Sequence, residues 1–401
     1  MIPHIRKQFN EQFRPEAYEA FMKALEHTFG EAPTFKVAET PVFVPRELGR
    51  KLEQACKDIS EFLLRPDFKS LTHRAIPLPA LLVPNEDEHP LFLQFDFAIS
   101  QDENGVLSPH LIELQGFPSL FFYQHLLAIN YRRYFHVPAE LDHLFGGLNL
   151  VSYVKLLREV IVGEHHPRNV ILLEIEPGKQ NTRIDFWGAQ EVLGIKILCL
   201  SDLKRDGRDL YYLDEQGRSI AVHRIFNRVI FDELMQRPDL VRDFNLTEEV
   251  DVEWAGHPNW FMRISKYTMP FLQHPSVPQT FFLDQMEYYP DDLENYVLKP
   301  LFSFSGKGVK INVTKQDLDA VKDPSNYILQ RKVTYSPVIK APGDLPDSKC
   351  ELRMMMIWKP GWDRPQPAIN LVRITRGEMV GVRYNSDDRW VGASIGFFEP
   401  L

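Results

Sequence analysis

Two acidic residues, Asp96 and Glu113, lie in neighbouring stretches that could form a metal-binding hairpin. The stretches 91–100 and 106–115 are rich in apolar residues, as β-strands are. The dipeptide at 104–105 is Asn-Gly, which favours two-residue hairpin turns. Such a turn predicts that Asp96 lies directly opposite Glu113 in an antiparallel pair. Because like charges directly opposite each other destabilise a sheet, this pairing calls for a compensating cation.

Two glutamines extend the acidic pair. The same register places Gln94 opposite Gln115, and the alternation of side chains along a strand puts all four on one face of the hairpin. Mg²⁺ prefers oxygen ligands and is the natural candidate for the cation between the two carboxylates. The alternative is an exposed polar face on which both acids are simply solvated.

A second stretch could bind anionic oxygens. A strand-like run at 296–298 leads into Lys299, and another strand-like run follows at 309–313. The loop between them is small, flexible and basic: Ser303, Phe304, Ser305, Gly306, Lys307 and Gly308. Its backbone N–H groups and its lysine could together close over phosphate groups. The loop matches neither the Walker motif G-x-x-x-x-G-K-[ST] nor the dinucleotide-binding motif G-x-G-x-x-G. The alternative is therefore a hairpin tip with a solvated lysine.

Composition narrows the class of protein. The 401 residues are long enough for two or three packed lobes, and a net charge of −9 argues against a nucleic-acid surface. The three cysteines are far apart in the sequence, as is typical of proteins in a reducing compartment. No apolar leader and no apolar run of about 18 residues occurs. We therefore expect a cytoplasmic, soluble protein that binds small molecules, with no nucleic-acid or membrane partner.

The middle of the chain predicts an α/β unit. An apolar strand at 169–175, a helix at 185–193 and a strand at 195–200 follow one another, which indicates a parallel sheet. Ligands commonly bind at the carboxyl ends of such strands, so residues 179–183 are candidates for substrate contact. Four further elements are predicted: helices at 45–65 and 260–272, and strands at 350–358 and 368–375.

Taken together, these stretches resemble the ATP-grasp superfamily, and most closely its circularly permuted branch of glutathionylspermidine synthases and related carboxylate–amine ligases. In that branch the acidic hairpin precedes the nucleotide-binding lobes, as FDFAIS and HLIELQGFPS do here. The similarity is distributed over roughly residues 91 to 375, and its most specific parts are the hairpin and the LKP sequence with its glycine loop.

The resemblance implies ATP and Mg²⁺ as cofactors and assigns roles to particular residues. The metal ligands of the family map onto Asp96, Glu113 and Gln115. The residues expected to contact the nucleotide are Lys266 (in ISK), Lys299 (in LKP), Ser305, Gly306, Lys307, Gly308 and Gln330. Gln330 corresponds to the end of the strand that contacts adenine.

The sequence departs from the family pattern at two positions. The arginine that the family has two residues before its metal-binding aspartate is Gln94 here, and its asparagine ligand is Gln115. Three downstream arginines are candidates to replace the lost cation: Arg353, Arg373 and Arg376. Glu351 and Arg353 are expected to share one strand face. Asn370 and Arg373 are expected on the adjoining strand. The alternative for these residues is ordinary surface ion pairing.

The resemblance implies an α/β fold with α+β lobes that is ATP-grasp-like and circularly permuted. Residues 1–150 would form a helical region with the metal hairpin, 151–255 a Rossmann-like substrate subdomain, and 256–401 the nucleotide-binding lobes. It also implies a ligase that joins a carboxylate to an amine through an acyl phosphate, with small-molecule or peptide substrates. Arg353 and Arg373 are our candidates for the catalytic residues.

Three alternatives stay open at this point. The first is a nucleotide-binding regulatory protein of the same fold without turnover. The second is a small-molecule kinase, and the third is an α/β protein whose polar hairpin is structural.

Overall fold

The computed structural model describes residues 1–77, 81–302, 308–377 and 389–401. The helices are α1 Pro3–Gln12, α2 Pro15–Phe29, α3 Arg46–Leu63, α4 Phe68–Leu71, α5 Phe121–Tyr134, α6 Leu150–Ile161, α7 Arg183–Leu193, α8 Phe231–Met235, α9 Pro258–Arg263 and α10 Lys315–Asp319. Within these described ranges, no helix combines the length and the apolar character needed to cross a membrane.

The strands occur in two groups along the chain. The first group is β1 Val42–Val44, β2 Phe92–Gln101, β3 Leu107–Gln115, β4 Val170–Glu174, β5 Lys196–Cys199, β6 Lys204–Asp206, β7 Asp209–Leu213, β8 Ser219–Val222, β9 Arg224–Asn227 and β10 Glu253–Ala255. The second group is β11 Thr280–Phe282, β12 Tyr296–Pro300, β13 Lys310–Ile311, β14 Tyr327–Arg331, β15 Lys349–Ile357, β16 Gln366–Thr375, β17 Gly392–Ser394 and β18 Gly396–Phe398.

Three of the sheets organise the molecule. An antiparallel five-stranded sheet has the order β17-β16-β15-β2-β3, and an antiparallel four-stranded sheet has the order β11-β14-β12-β13. A parallel sheet has the order β10-β9-β4-β5. The fold is therefore mixed α/β, as the sequence predicts. Residues 256–401 are divided between sheets, because β15 and β16 join the early hairpin whereas β11 to β14 form their own sheet.

The five-stranded sheet has one apolar face, and its other face is polar at Asp96 and Gln94 but apolar at Phe92, Met355 and Ile357. Helix α3 covers the apolar face with its predicted stripe of buried residues, which includes Leu48, Leu52, Cys56, Ile59 and Leu63. The sheet contributes the odd-numbered residues of β2 to this layer, namely Leu93, Phe95, Phe97 and Ile99. Side chains alternate along a strand, so Asp96 and Gln94 project from the opposite face. Polar residues on that face form the site described below.

The β2–β3 hairpin has the predicted pairing but not the predicted turn. Asp102 pairs with Val106 around a three-residue loop that ends at Gly105, whose φ of +81° suits glycine. This loop alone would shift the register by one residue. A β-bulge at Ile112 adds one residue to β3 and cancels that shift, so Asp96 still lies opposite Glu113.

The predicted single helix at 260–272 is wrong. Helix α9 ends at Arg263, and a separate 3-10 helix runs from Lys266 to Phe271. Ser265 separates them in an extended conformation, and its hydroxyl accepts a hydrogen bond from the Tyr267 N–H at 3.2 Å. The Ile264 carbonyl accepts a hydrogen bond from the Gly116 N–H at 2.8 Å. This hydrogen bond connects the segment that carries Lys266 to the end of β3.

Candidate functional site

A row of charged side chains crosses three strands of the five-stranded sheet. Arg353 on β15 lies opposite Asp96 on β2, and Asp96 lies opposite Glu113 on β3. The next row places Gln94 opposite Gln115, as the sequence predicts. The expected clustering of these four hairpin residues is therefore present, and β15 adds an arginine to it.

Asp96 is bound by that arginine. The Arg353 guanidinium donates through Nε to Asp96 Oδ1 and through Nη2 to Oδ2, the latter at 2.6 Å, and its Nη1 donates to Gln94 Oε1. The Asp96 side chain is only 1% exposed. Arg373 lies 3.5 Å from Asp96 Oδ2 and also forms an ion pair with Glu351. Both oxygens of Asp96 are thus satisfied by cations of the chain itself.

Glu113 is bound by lysine. The Lys266 ammonium lies 3.1 Å from Glu113 Oε1, and the Lys266 side chain is 7% exposed. Burial opposes ionisation of Glu113, but the charges of Lys266, Lys299 and Arg353 outweigh it and hold the pKa of this carboxyl well below its usual range. Glu113 is therefore ionised at neutral pH.

Lys299 points toward the same carboxylate from the neighbouring sheet. Its ammonium donates to Gln330 Oε1 at 2.6 Å and to the Ile112 carbonyl at 3.0 Å. Ile112 is the bulged residue of β3, which has no pairing partner in β2. Burial lowers the pKa of Lys299 to about 8, although the nearby Glu113 charge opposes this effect. The bulge thus sets the hairpin register and also supplies an acceptor for Lys299.

A small cleft lies beside Glu113. Its volume is about 20 Å³, and its lining residues are Glu113, Gln115, Phe261, Ile264, Ser265, Lys266, Leu301 and Phe302. Ligand pockets in proteins usually measure about 300–1,000 Å³, whereas a space of this size holds roughly one water molecule. The cleft must therefore widen to take a nucleotide.

The remaining predicted loop residues are partly outside the described chain. Ser305, Gly306 and Lys307 lie outside the described residues. Gly308 follows at a φ of +75°, and a Cβ there would lie 2.9 Å from Pro300 Cγ. Gly308 therefore lets the returning strand pass close to the end of β12.

Two of the residues grouped with Arg353 lie elsewhere. Asn370 projects from the other face of β16, where its side-chain amide donates to the His143 and Gly396 carbonyls at 3.1 and 3.0 Å. Asn370 and Arg373 both lie on β16, the strand beside β15, as predicted, but residues three apart on a strand face opposite sides. Arg376 donates to the Pro346 and Arg389 carbonyls, away from Asp96.

The predicted magnesium trio of Asp96, Glu113 and Gln115 does not fit a metal ion in this arrangement. Asp96 has both oxygens bound by Arg353, and no group of three or more metal-ligating His, Cys, Asp or Glu side chains occurs within the described ranges. Glu113 and Gln115 alone provide one carboxylate and one amide. Arginine and lysine side chains of the chain itself supply positive charge to the two opposed acids, and the assignment of magnesium ligands stays a prediction.

A second polar site lies at the carboxyl ends of parallel strands. Arg228 follows β9 and is 5% exposed, with its guanidinium 4.5 Å from the Phe117 ring centroid and 5.4 Å from that of Phe186. Among the described residues, no acceptor lies within hydrogen-bond distance of its Nε or Nη1. Burial raises the pKa of nearby Glu174 to about 8, so this carboxyl is largely protonated at neutral pH. Arg228 is thus a buried guanidinium with the carboxyl groups of Glu174 and Asp185 nearby.

Sequence reasoning missed Arg228 and pointed to its neighbours instead. Lys179 forms an ion pair with Glu176 at 2.6 Å, and Arg183 forms one with Glu31. The carboxyl ends of parallel strands, where ligands commonly bind, include the edge that carries Arg228. The sequence pattern pointed to the loop after β4 there, and residues 224–227, which form β9, were not predicted as a strand.

Comparisons with known proteins support the fold. No protein-family model matches this chain, and no curated protein is similar to it in sequence. The apo structure of a glutathione synthetase-like effector (GSS30) from Globodera pallida is similar over 96% of both chains, with a TM-score of 0.61 and 12% identity. A putative gamma-glutamylcysteine synthetase from Methylobacillus flagellatus KT covers 85% of this chain and 87% of its own, with a TM-score of 0.35 and 10% identity.

The first of these similarities concerns the fold alone, because only 12% of the residues are identical. The chain has a glutathione synthetase-like fold, which supports the expected ATP-grasp-like architecture. The circular permutation stays a prediction.

Proposed function

We propose that this protein is an ATP-dependent ligase that joins a carboxylate to an amine. The observation that carries the proposal is the convergence of Lys266 and Lys299 on Glu113, at the junction of the five-stranded sheet and the sheet of β12. Lys266 is buried and Lys299 is half-buried, and two such lysines near one carboxylate are suited to neutralising polyphosphate charge once the cleft widens. The synthetase-like fold supports the same class of reaction.

The chain's residues would act mainly by positioning and charge. The substrate carboxylate oxygen attacks the γ-phosphorus of ATP, the bond to the bridging oxygen breaks, and ADP leaves. The amine nitrogen then attacks the acyl carbon, phosphate leaves, and the amine loses a proton. Lys266 and Lys299 would stabilise negative charge on the phosphates, and Arg373 would stabilise charge on the acyl phosphate. No protein nucleophile is required.

Arg228 is our candidate for anchoring the acid substrate. Its guanidinium packs on Phe117, and Phe117 packs on Phe261, which lines the cleft beside Glu113; the two ring centroids are 5.5 Å apart. A buried arginine recognises carboxylate groups well. An acid with a second carboxylate could thus bind Arg228 and extend its reacting carboxylate toward the lysines.

The test is ADP release in the presence of panels of acids and amines. We expect release that requires both an acid and an amine, and a decrease of about 10²-fold or more in Lys299→Met. Lys340→Met is the matched control, because Lys340 pairs with Asp347 at the surface, and it should retain wild-type turnover. Full turnover in Lys299→Met would contradict the assignment.

A second candidate is a nucleotide-binding protein of this fold without turnover. The binding of Asp96 by Arg353 favours it, because that aspartate is then not available to a catalytic metal. Nucleotide binding without ADP release under any acid–amine mixture would support this candidate. ADP release with an acid alone would instead indicate a small-molecule kinase.

A further inference from the structure

The carboxylates of the site are neutralised before any ligand binds. Within the described residues the cluster contains three carboxylates, Asp96, Glu113 and Glu351, and each faces a cation at short range. The cations are four: Arg353, Arg373, Lys266 and Lys299. The cluster therefore has one net positive charge, so it attracts an anion and repels a divalent cation.

The position of Arg353 makes this arrangement specific. Its guanidinium binds both oxygens of Asp96 and also Gln94, the residue opposite Gln115. The Asp96 side chain is 1% exposed, and Arg373 Nη1 lies 3.5 Å from Asp96 Oδ2. A carboxylate oxygen has two lone pairs, and the bidentate pair uses only one on each oxygen. Because Asp96 is buried and Arg373 lies beside its Oδ2, a metal ion could bind Asp96 only after one of the two arginines had moved, which leaves a guanidinium buried without its partner.

We infer that this site binds its polyphosphate ligand without a divalent cation, because Arg353 occupies the coordination sites of Asp96 that a metal would need. The inference deepens the proposed function by naming the form of the nucleotide: the metal-free anion rather than the magnesium complex. Lys266, Lys299 and the two arginines supply the positive charge that a metal would otherwise contribute.

Metal binding to the protein alone gives the first test, which does not depend on any nucleotide. Mn²⁺ is titrated into wild type, Arg353→Met and Arg353→Met/Asp96→Asn, with free Mn²⁺ measured by electron paramagnetic resonance. We expect wild type to bind no Mn²⁺ at millimolar concentration. Arg353→Met should bind it about 10- to 100-fold more tightly than wild type, because Asp96 is released, and the double variant should lose this gain.

A matched control is Arg65→Met. Arg65 binds Asp67 in the same bidentate geometry, but that pair is exposed, so its removal should create no metal site. Wild-type Mn²⁺ binding that disappears in Asp96→Asn would overturn the inference. A folded Arg353→Met variant that binds no Mn²⁺ would overturn it too, since Arg353 would then not be what excludes the metal.

Nucleotide affinity gives the second test. Calorimetric titration of ATP in EDTA should give an affinity equal to or higher than the affinity in excess Mg²⁺, because Mg²⁺ brings added positive charge to a cationic cluster. An affinity about tenfold or more lower in EDTA would refute the inference while leaving the ligase proposal intact. Failure to bind ATP in either condition would refute metal-free polyphosphate binding together with the proposed function.

Discussion

Replacing Arg353 by methionine should strongly destabilise the fold. The guanidinium makes a bidentate pair with the buried Asp96, and methionine fills a similar volume without charge. Removal of one partner of a buried ion pair typically costs about 3–5 kcal/mol, because the other charge stays buried. Arg373 lies 3.5 Å from Asp96 and remains to compensate part of that charge. We therefore expect the free energy of unfolding to fall by an amount near the lower end of this range, about 3 kcal/mol.

The assay is urea denaturation of four proteins: wild type, Arg353→Met, Asp96→Asn and the double variant. Because the two side chains contact each other, their effects should not add. We expect the double variant to be about 0.5–3 kcal/mol more stable than the sum of the single effects predicts. Arg65→Met is the control, since its exposed pair with Asp67 has the same geometry, and its midpoint should equal that of wild type.

Two results would refute this reasoning. One is additivity of the single effects within about 0.5 kcal/mol, which would show that Arg353 and Asp96 do not interact energetically. The other is a loss below about 1 kcal/mol in Arg353→Met, the range found for surface ion pairs. Either result would mean that Asp96 has another source of compensation, such as a bound ion.

Three further predictions follow from individual residues. ATP affinity should fall as the pH rises through about 8, because Lys299 then loses its proton; calorimetry that gives equal affinity on both sides of this pH would contradict it. Burial raises the pKa of Glu174 to about 8, whereas the pKa in the unfolded chain is about 4.3. Protonated Glu174 therefore stabilises the fold fully below a pH of about 4.3, and this stabilisation is lost as the pH rises to about 8. Glu174→Gln should remove this slope from urea midpoints measured against pH. Gly116→Ala should cost about 1–3 kcal/mol in urea denaturation, because the new Cβ would lie 2.6 Å from the Trp260 carbonyl oxygen; wild-type stability would show that this segment adjusts freely.

The hairpin shows how a correct pairing followed from an incorrect turn. The Asn-Gly dipeptide indicates a turn, and the alternation of apolar residues requires one particular face of β2 to be buried. The actual loop has three residues, and the bulge at Ile112 restores the register. The local sequence does not predict such a bulge. The requirement to bury the apolar face decided the outcome, since without the bulge Glu113 would lie opposite Phe95, on the apolar face.

The helix break before Lys266 was not visible in the periodicity. Residues 260–272 contain enough apolar side chains to suggest one helix, although Pro270 lies within them. The actual break depends on a hydrogen bond between the Gly116 N–H and the Ile264 carbonyl, which joins two segments far apart in the chain. Tertiary contacts of this kind override helix propensity.

The sequence by itself determined the local elements and the residue types available for chemistry. Alternating apolar residues placed Asp96, Glu113, Gln94 and Gln115 on one face, and the strand before Lys299 was predicted from its own residues. These properties depend on neighbours a few positions away, so they can be read from a single sequence.

Only the tertiary structure decided which charges meet. Arg353 reaches Asp96 across 257 positions because β15, and no other strand, pairs with β2 on the side away from β3. Lys299 reaches the Ile112 carbonyl, next to Glu113, because two separate sheets meet at the bulge. Strand order and the meeting of sheets depend on the burial of the whole core, and no local pattern encodes them. The arginine that binds Asp96 therefore has a position that only the assembled sheet reveals.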